Sequence, residues 1–141
     1  MKIFLSTPMS CFKTKNEILA YKNCISFLLG KLKEYHNVCS EIDKIEEETD
    51  FDTPEKSISS DLESIQECDV FILHYPKEVP TSALVELGFA IAFEKKVIII
   101  TPKKNMLPYL IKGISAMNLD SVIIESEDID DKLINQVFTN I

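Results

Sequence analysis

Asp69-Val70-Phe71-Ile72-Leu73-His74 and Lys96-Val97-Ile98-Ile99-Ile100-Thr101 flank the apolar segment Ser82-Ala83-Leu84-Val85-Glu86-Leu87-Gly88-Phe89-Ala90-Ile91-Ala92-Phe93-Glu94, and these three pieces dictate the architecture. The flanking runs are short, β-branched and almost continuously apolar, the pattern of strands covered on both faces of a parallel sheet. Parallel neighbours need a long crossover between them, and the middle segment supplies it as a helix.

The pattern continues outward in both directions. Lys2-Ile3-Phe4-Leu5-Ser6 is a third such run, and Asn37–Ile42 and Ser121–Glu125 bring the predicted strands to five. Glu17–Tyr35 repeats Ile18, Tyr21, Ile25, Leu28, Leu29 and Leu32 at helical spacing. Asp52–Cys68 opens with Asp52 as a cap, Pro54 in the first turn and Glu55 three residues after the cap. Ser82–Glu94, Leu107–Met117 and Ile129–Phe138 are the third, fourth and fifth predicted helices. Strands alternating with helices imply right-handed βαβ crossovers and one three-layer, doubly wound α/β domain over 1–141, flavodoxin- or Rossmann-like. The expected strand order is 2-1-3-4-5, with the ligand crevice beyond the C-terminal ends of strands 1 and 3.

Bulk properties narrow the partners. A chain of 141 residues suits one domain, and 45% hydrophobic with 27% charged residues is an ordinary globular composition. A net charge of −8 argues against a nucleic-acid polymer or an anionic membrane, both of which need a basic face. A small anion can still be held at a helix N-terminus. Cys11, Cys24, Cys39 and Cys68 lie far apart with no Cys-x-x-Cys pair, which reads as reduced, packing-type cysteine. The two histidines are unrelated in position, so no metal is called for. MKIFLSTPMS turns polar too soon for a signal peptide, and a soluble, cytoplasmic domain is expected. The acidic run Glu46-Glu47-Glu48-Thr49-Asp50 reads as a solvated loop.

Chemistry in this architecture sits at strand ends. Strand 1 ends in Ser6-Thr7-Pro8, strand 2 in Glu41 and Asp43, strand 3 in His74-Tyr75-Pro76 and strand 4 in Thr101-Pro102. With Gly30, Gly88 and Gly113 as the only glycines, neither Gly-x-Gly-x-x-Gly nor a P-loop can be built, so no cofactor is expected. The sharper signal is in the third helix, where Glu86 is the one residue between Ala83 and Phe93 that is neither apolar nor glycine. Such a carboxylate either faces solvent or occupies a desolvated pocket that uses it, and periodicity alone leaves both open. Its ridge neighbours Ala83 and Ala90 are small, and it lies about one turn from the helix start at Thr81 or Ser82, where the dipole favours ionisation. Asp61 is the second candidate, because it borders the stripe of Ile58, Leu62 and Ile65 while Glu63 and Glu67 fall on the wet face.

Taken together, Asp61-Leu62-Glu63-Ser64-Ile65, Cys68-Asp69-Val70-Phe71-Ile72, Val85-Glu86-Leu87-Gly88-Phe89-Ala90 and Lys96-Val97-Ile98 resemble the nucleoside 2-deoxyribosyltransferase superfamily. That superfamily includes 2′-deoxynucleoside 5′-phosphate N-hydrolases and pyrimidine-nucleotide N-glycosidases. Ile3–Met9 is similar to its first strand and loop, and Leu110-Ile111-Lys112-Gly113 to the segment after its fourth strand. The resemblance implies that Glu86 is the nucleophile at the anomeric carbon and that Asp61 assists base departure or holds the sugar. An oxocarbenium-like state calls for such a carboxylate, and a leaving base calls for an acid. Phe4 stands where the transferases and deoxynucleotide hydrolases carry a tyrosine that orients the nucleophile. Pro80 and Pro108 stand where nucleotide hydrolases carry phosphate-binding serines. Ser6, Thr7, Pro8, Phe4, His74, Thr81, Ser82 and Lys112 are then the expected substrate contacts.

The resemblance therefore implies an enzyme, a hydrolase or a transferase, that cleaves the N-glycosidic bond of a nucleoside or nucleoside 5′-monophosphate. Relatives complete their sites across a dimer interface, so a homodimer or homotetramer is expected. The alternatives are a TIR-like enzyme that cleaves NAD and a non-catalytic nucleotide-binding module. A flavodoxin-type carrier is disfavoured, since no tryptophan is present to stack a flavin.

Overall fold

Apolar runs that cannot be satisfied by one buried face need a cover on both. A computed structural model, which describes residues 1–44, 53–79, 81–117 and 120–141, provides it for β1 (Lys2–Ser6), β3 (Val70–His74) and β4 (Lys96–Thr101). With β2 (Asn37–Cys39) and β5 (Ser121–Glu125) they form an all-parallel five-stranded sheet ordered β2-β1-β3-β4-β5, the expected topology. Register sets Phe4 beside Cys39 on one side and Phe71 on the other, and Phe71 beside Val97.

Strand alternation divides the core in two. Ile3, Leu5, Val70, Ile72, Ile98 and Ile100 face α1 (Lys15–Tyr35) and α5 (Asp131–Asn140), where Tyr21, Ile25, Leu28, Leu133 and Val137 meet them. Phe4, Phe71, Leu73, Val97 and Ile99 face α3 (Pro54–Glu67), α4 (Ala83–Ala92) and the 3₁₀ segment Ile111–Ala116. Among the described residues, no helix is long and apolar enough to cross a membrane. All four cysteines are free; Cys68 is buried, Cys11 and Cys39 are half-buried, and Cys24 is exposed.

Several element boundaries differ from expectation for local reasons. α1 starts earlier, because Thr14 and Glu17 form a capping box: Glu17 N–H donates to Thr14 Oγ1 at 3.2 Å, and the Glu17 carboxylate accepts from Thr14 N–H at 3.2 Å. The cap of α3 is Thr53, with Pro54 as the first helical residue; Asp52 lies outside the described residues, as do the acidic run 46–50 and Pro80. β2 stops at Cys39 rather than Ile42, since Ser40 Oγ donates to Leu5 O at 2.9 Å and the chain turns into the short α2 (Glu41–Lys44). The expected fourth helix is 3₁₀ in character, as Gly113 N–H and Met117 N–H reach back three residues to Leu110 O and Ile114 O. α5 starts after Ile129 because Asp130 Oδ1 caps Leu133 N–H at 2.8 Å. Ile58, expected on the buried stripe of α3, is exposed.

Candidate active site

The strand order reverses between β1 and β3, and in doubly wound sheets the ligand crevice lies beyond the C-terminal strand ends at that point. Glu86, in the first turn of α4, projects toward it. Its Oε2 accepts a hydrogen bond from Ser6 Oγ at 2.5 Å, and Ser6 is the buried last residue of β1. Burial pushes the Glu86 carboxyl up, the Ser6 bond pulls it back, and the negative charges of Asp61 and Glu41 push it up again, to about 7. At that value Glu86 divides between its acid and carboxylate forms near neutral pH.

Three helices deliver these carboxyls. α3 packs on α4 and carries Asp61, a half-buried residue whose Oδ1 is shut off from solvent. α2 brings Glu41 in from the sheet edge at β2. An ionised carboxylate beside a protonated one can attack an electrophilic carbon while its neighbour gives a proton to the departing group.

Thr7 is buried, and its Oγ1 has no hydrogen-bond partner among the described residues; Pro8 beside it is buried too. Ser10 Oγ donates to Thr81 Oγ1 at 3.3 Å, tying the segment after β1 to the approach to α4, where Ser82 is exposed. Phe4 is 1% exposed and lies one pleat below Ser6 on the same face, stacked on Phe71 with ring centroids 5.7 Å apart. It belongs to the floor beneath the crevice.

His74 goes elsewhere. It is buried on the α1 face, where its Nδ1 is 2.6 Å from Tyr21 Oη, and burial lowers its pKa to about 4. The structure therefore separates it from Glu86 by the thickness of the sheet. Lys112 is half-buried in the 3₁₀ segment and is not among the groups acting on Glu86. Two residues that the structure brings toward Glu86 or α4 were not singled out from the sequence: Glu41, which reads there as a strand end, and Ser10. A groove of about 300 Å³ lined by Tyr75, Glu78, Val79, Leu84, Met106 and Pro108 flanks the start of α4.

No protein-family model matches the chain, and no curated protein matches its sequence. Solved structures do resemble it over nearly its whole length. The CMP N-glycosidase BcmB of Clostridium botulinum superposes with a TM-score of 0.71 at 22% identity, covering 99% of each chain. BlsM, in solution, gives 0.68 at 19% identity, covering 99% of this chain and 88% of BlsM. A 2-deoxyribosyltransferase from Leishmania mexicana gives 0.57 at 15% identity, covering 97% and 95%. The fold shared with these proteins is the one the sequence resemblance implies.

Proposed function

We propose that the protein cleaves the N-glycosidic bond of a nucleoside or nucleotide, with Glu86 as nucleophile and Asp61 as the acid or sugar-orienting group. The observation that carries this reading is the Ser6–Glu86 hydrogen bond at the crevice, with Glu86 held at about 7 beside Asp61. The likeness in fold to an N-glycosidase and a deoxyribosyltransferase supports it.

In the first step the Glu86 carboxylate forms a bond to the anomeric carbon as the bond to the base breaks. The electron pair goes to the base nitrogen, which takes up a proton that Asp61 relays from water. Water or a second base then attacks the anomeric carbon and gives up a proton to the Asp61 carboxylate as Glu86 leaves as its own carboxylate, giving hydrolysis or transfer. Ser6 stands in for the missing tyrosine hydroxyl by holding the carboxylate in line, which Phe4 cannot do.

The test is chromatography for free base after incubation with nucleosides, nucleoside 5′-monophosphates and NAD. Release is expected from at least one nucleoside or monophosphate, and Glu86→Gln should lower it by at least about 10³-fold, the scale for removing a nucleophile. Because the substitution removes a buried charge, the variant should unfold at no lower urea concentration than the parent. A folded Glu86→Gln protein that retains turnover would remove Glu86 from the mechanism. Release from NAD alone would move the reading to the NAD-cleaving alternative.

A further inference from the structure

A separate cavity lies between the last turns of α1 and the length of α5. It holds about 540 Å³, within the ~300–1,000 Å³ usual for small-molecule sites. Both helices cover the sheet face opposite α3 and α4, so the sheet stands between this cavity and Glu86.

Three rings shape it. Phe138 is half-buried, with the His36 ring stacked on it at 5.8 Å between centroids and the Tyr35 ring perpendicular to it at 5.6 Å. The buried Ile134 completes the apolar wall, while Tyr35 is 70% exposed. A phenol ring fixed by one perpendicular contact and otherwise open offers a flat face to another ring.

Helical spacing places the polar groups. Asp131 and Asn135, both exposed, stand four residues apart on α5 and line the cavity together with Ile134 and Phe138. On the α1 side Lys31 Nζ is bound to Glu34 Oε1 at 3.1 Å, so that pair is occupied with itself. Among the lining residues this leaves the Asp131 carboxylate and the Asn135 amide to meet a ligand. The carboxylate only accepts hydrogen bonds, whereas the amide both donates and accepts.

We propose that this cavity is a second small-molecule site, taking a planar nitrogen heterocycle with an exocyclic amine, the class of adenine and cytosine. The ring stacks on Tyr35, its amine donates to the Asp131 carboxylate, and its ring nitrogen accepts from the Asn135 amide. A keto group in place of the amine sets an acceptor against a carboxylate, which disfavours hypoxanthine and uracil. The site stands independently of the N-glycosidase reading, since it shares no residue with the crevice.

The experiment titrates the full chain with adenine, cytosine, hypoxanthine and uracil, reading affinity by calorimetry and location by backbone chemical shifts. At least one amino base should bind saturably, about fivefold or more tighter than its keto counterpart, the scale of one hydrogen bond. Tyr35→Ala, at an exposed position outside the core, should weaken that base about fivefold or more. Asp131→Asn should cancel the preference for the amine, whereas Glu86→Gln should leave the affinity unchanged. Absence of binding by both amino bases at millimolar concentration would overturn the inference. So would a keto base bound equally well, an affinity unmoved by Tyr35→Ala, or shifts confined to the segments after β1 and β3.

Discussion

A carboxyl enclosed by apolar and anionic neighbours ionises late, and one donated hydrogen bond moves it back toward ionising. Glu86 has both influences, and its value of about 7 is their balance. In the proposed mechanism only the ionised form attacks, so kcat/KM should fall as pH drops through about 7, giving an ascending limb in the rate profile. Ser6→Ala removes the donor that favours the carboxylate, so the limb should move upward and the loss should be larger at pH 6 than at pH 8. An unmoved limb would mean that the Ser6 bond does not tune the nucleophile. Glu86 stood out as a candidate because a lone carboxylate in an apolar helix needs a reason. Its bond to Ser6 did not, since it spans eighty residues of chain and depends on where a strand ends. Ser10 and Glu41 were hidden in the same way, because local spacing says nothing about which loops converge.

β3 shows what a strand can and cannot disclose. Its continuous apolar run identifies it as a central strand, but every position looks alike, so the sequence does not say which face His74 takes. Alternation puts Val70, Ile72 and His74 toward α1, and Phe71, Leu73 and Tyr75 toward α4. The strand thus delivers His74 to Tyr21 instead of the crevice. Burial holds the folded His74 at about 4, below the ordinary ~6.5 of an exposed histidine. Between those values the unfolded chain binds the extra proton, so stability present above pH 6.5 is lost as pH falls toward 4, by up to roughly 3 kcal/mol. Glu86 works the other way, since a raised carboxyl favours the fold at low pH and ceases to as pH rises through 7. Comparing variants isolates the histidine. His74→Gln keeps an acceptor for Tyr21 and should lose less stability than the parent between pH 7.5 and 4.5 in urea unfolding. Equal losses would place the acid sensitivity elsewhere.

At the scale of the molecule, topology was the most legible property, because βαβ handedness and alternating elements leave few arrangements open. The expected crevice position follows from that order, whereas the side-chain contacts around it do not. The outer surface also bears on assembly. Val85 on the open side of α4 is 54% exposed, and Tyr109 and Leu110 nearby in the chain after β4 are 88% and 83% exposed. Apolar surface of that kind, with Gly88 on the same helix leaving open space above it, suits a second copy of the chain, and the expected mass in solution is that of a dimer or tetramer. A monomer by light scattering at micromolar concentration would contradict it. The central claim, that Glu86 takes the sugar covalently, is tested most directly by mass spectrometry of protein quenched in acid during turnover of its best nucleoside. Slowing the second step with a 2-fluoro sugar analogue should leave one added glycosyl mass on the peptide containing Glu86. Continued turnover with no adduct on that peptide, or an adduct on another residue, would contradict the account.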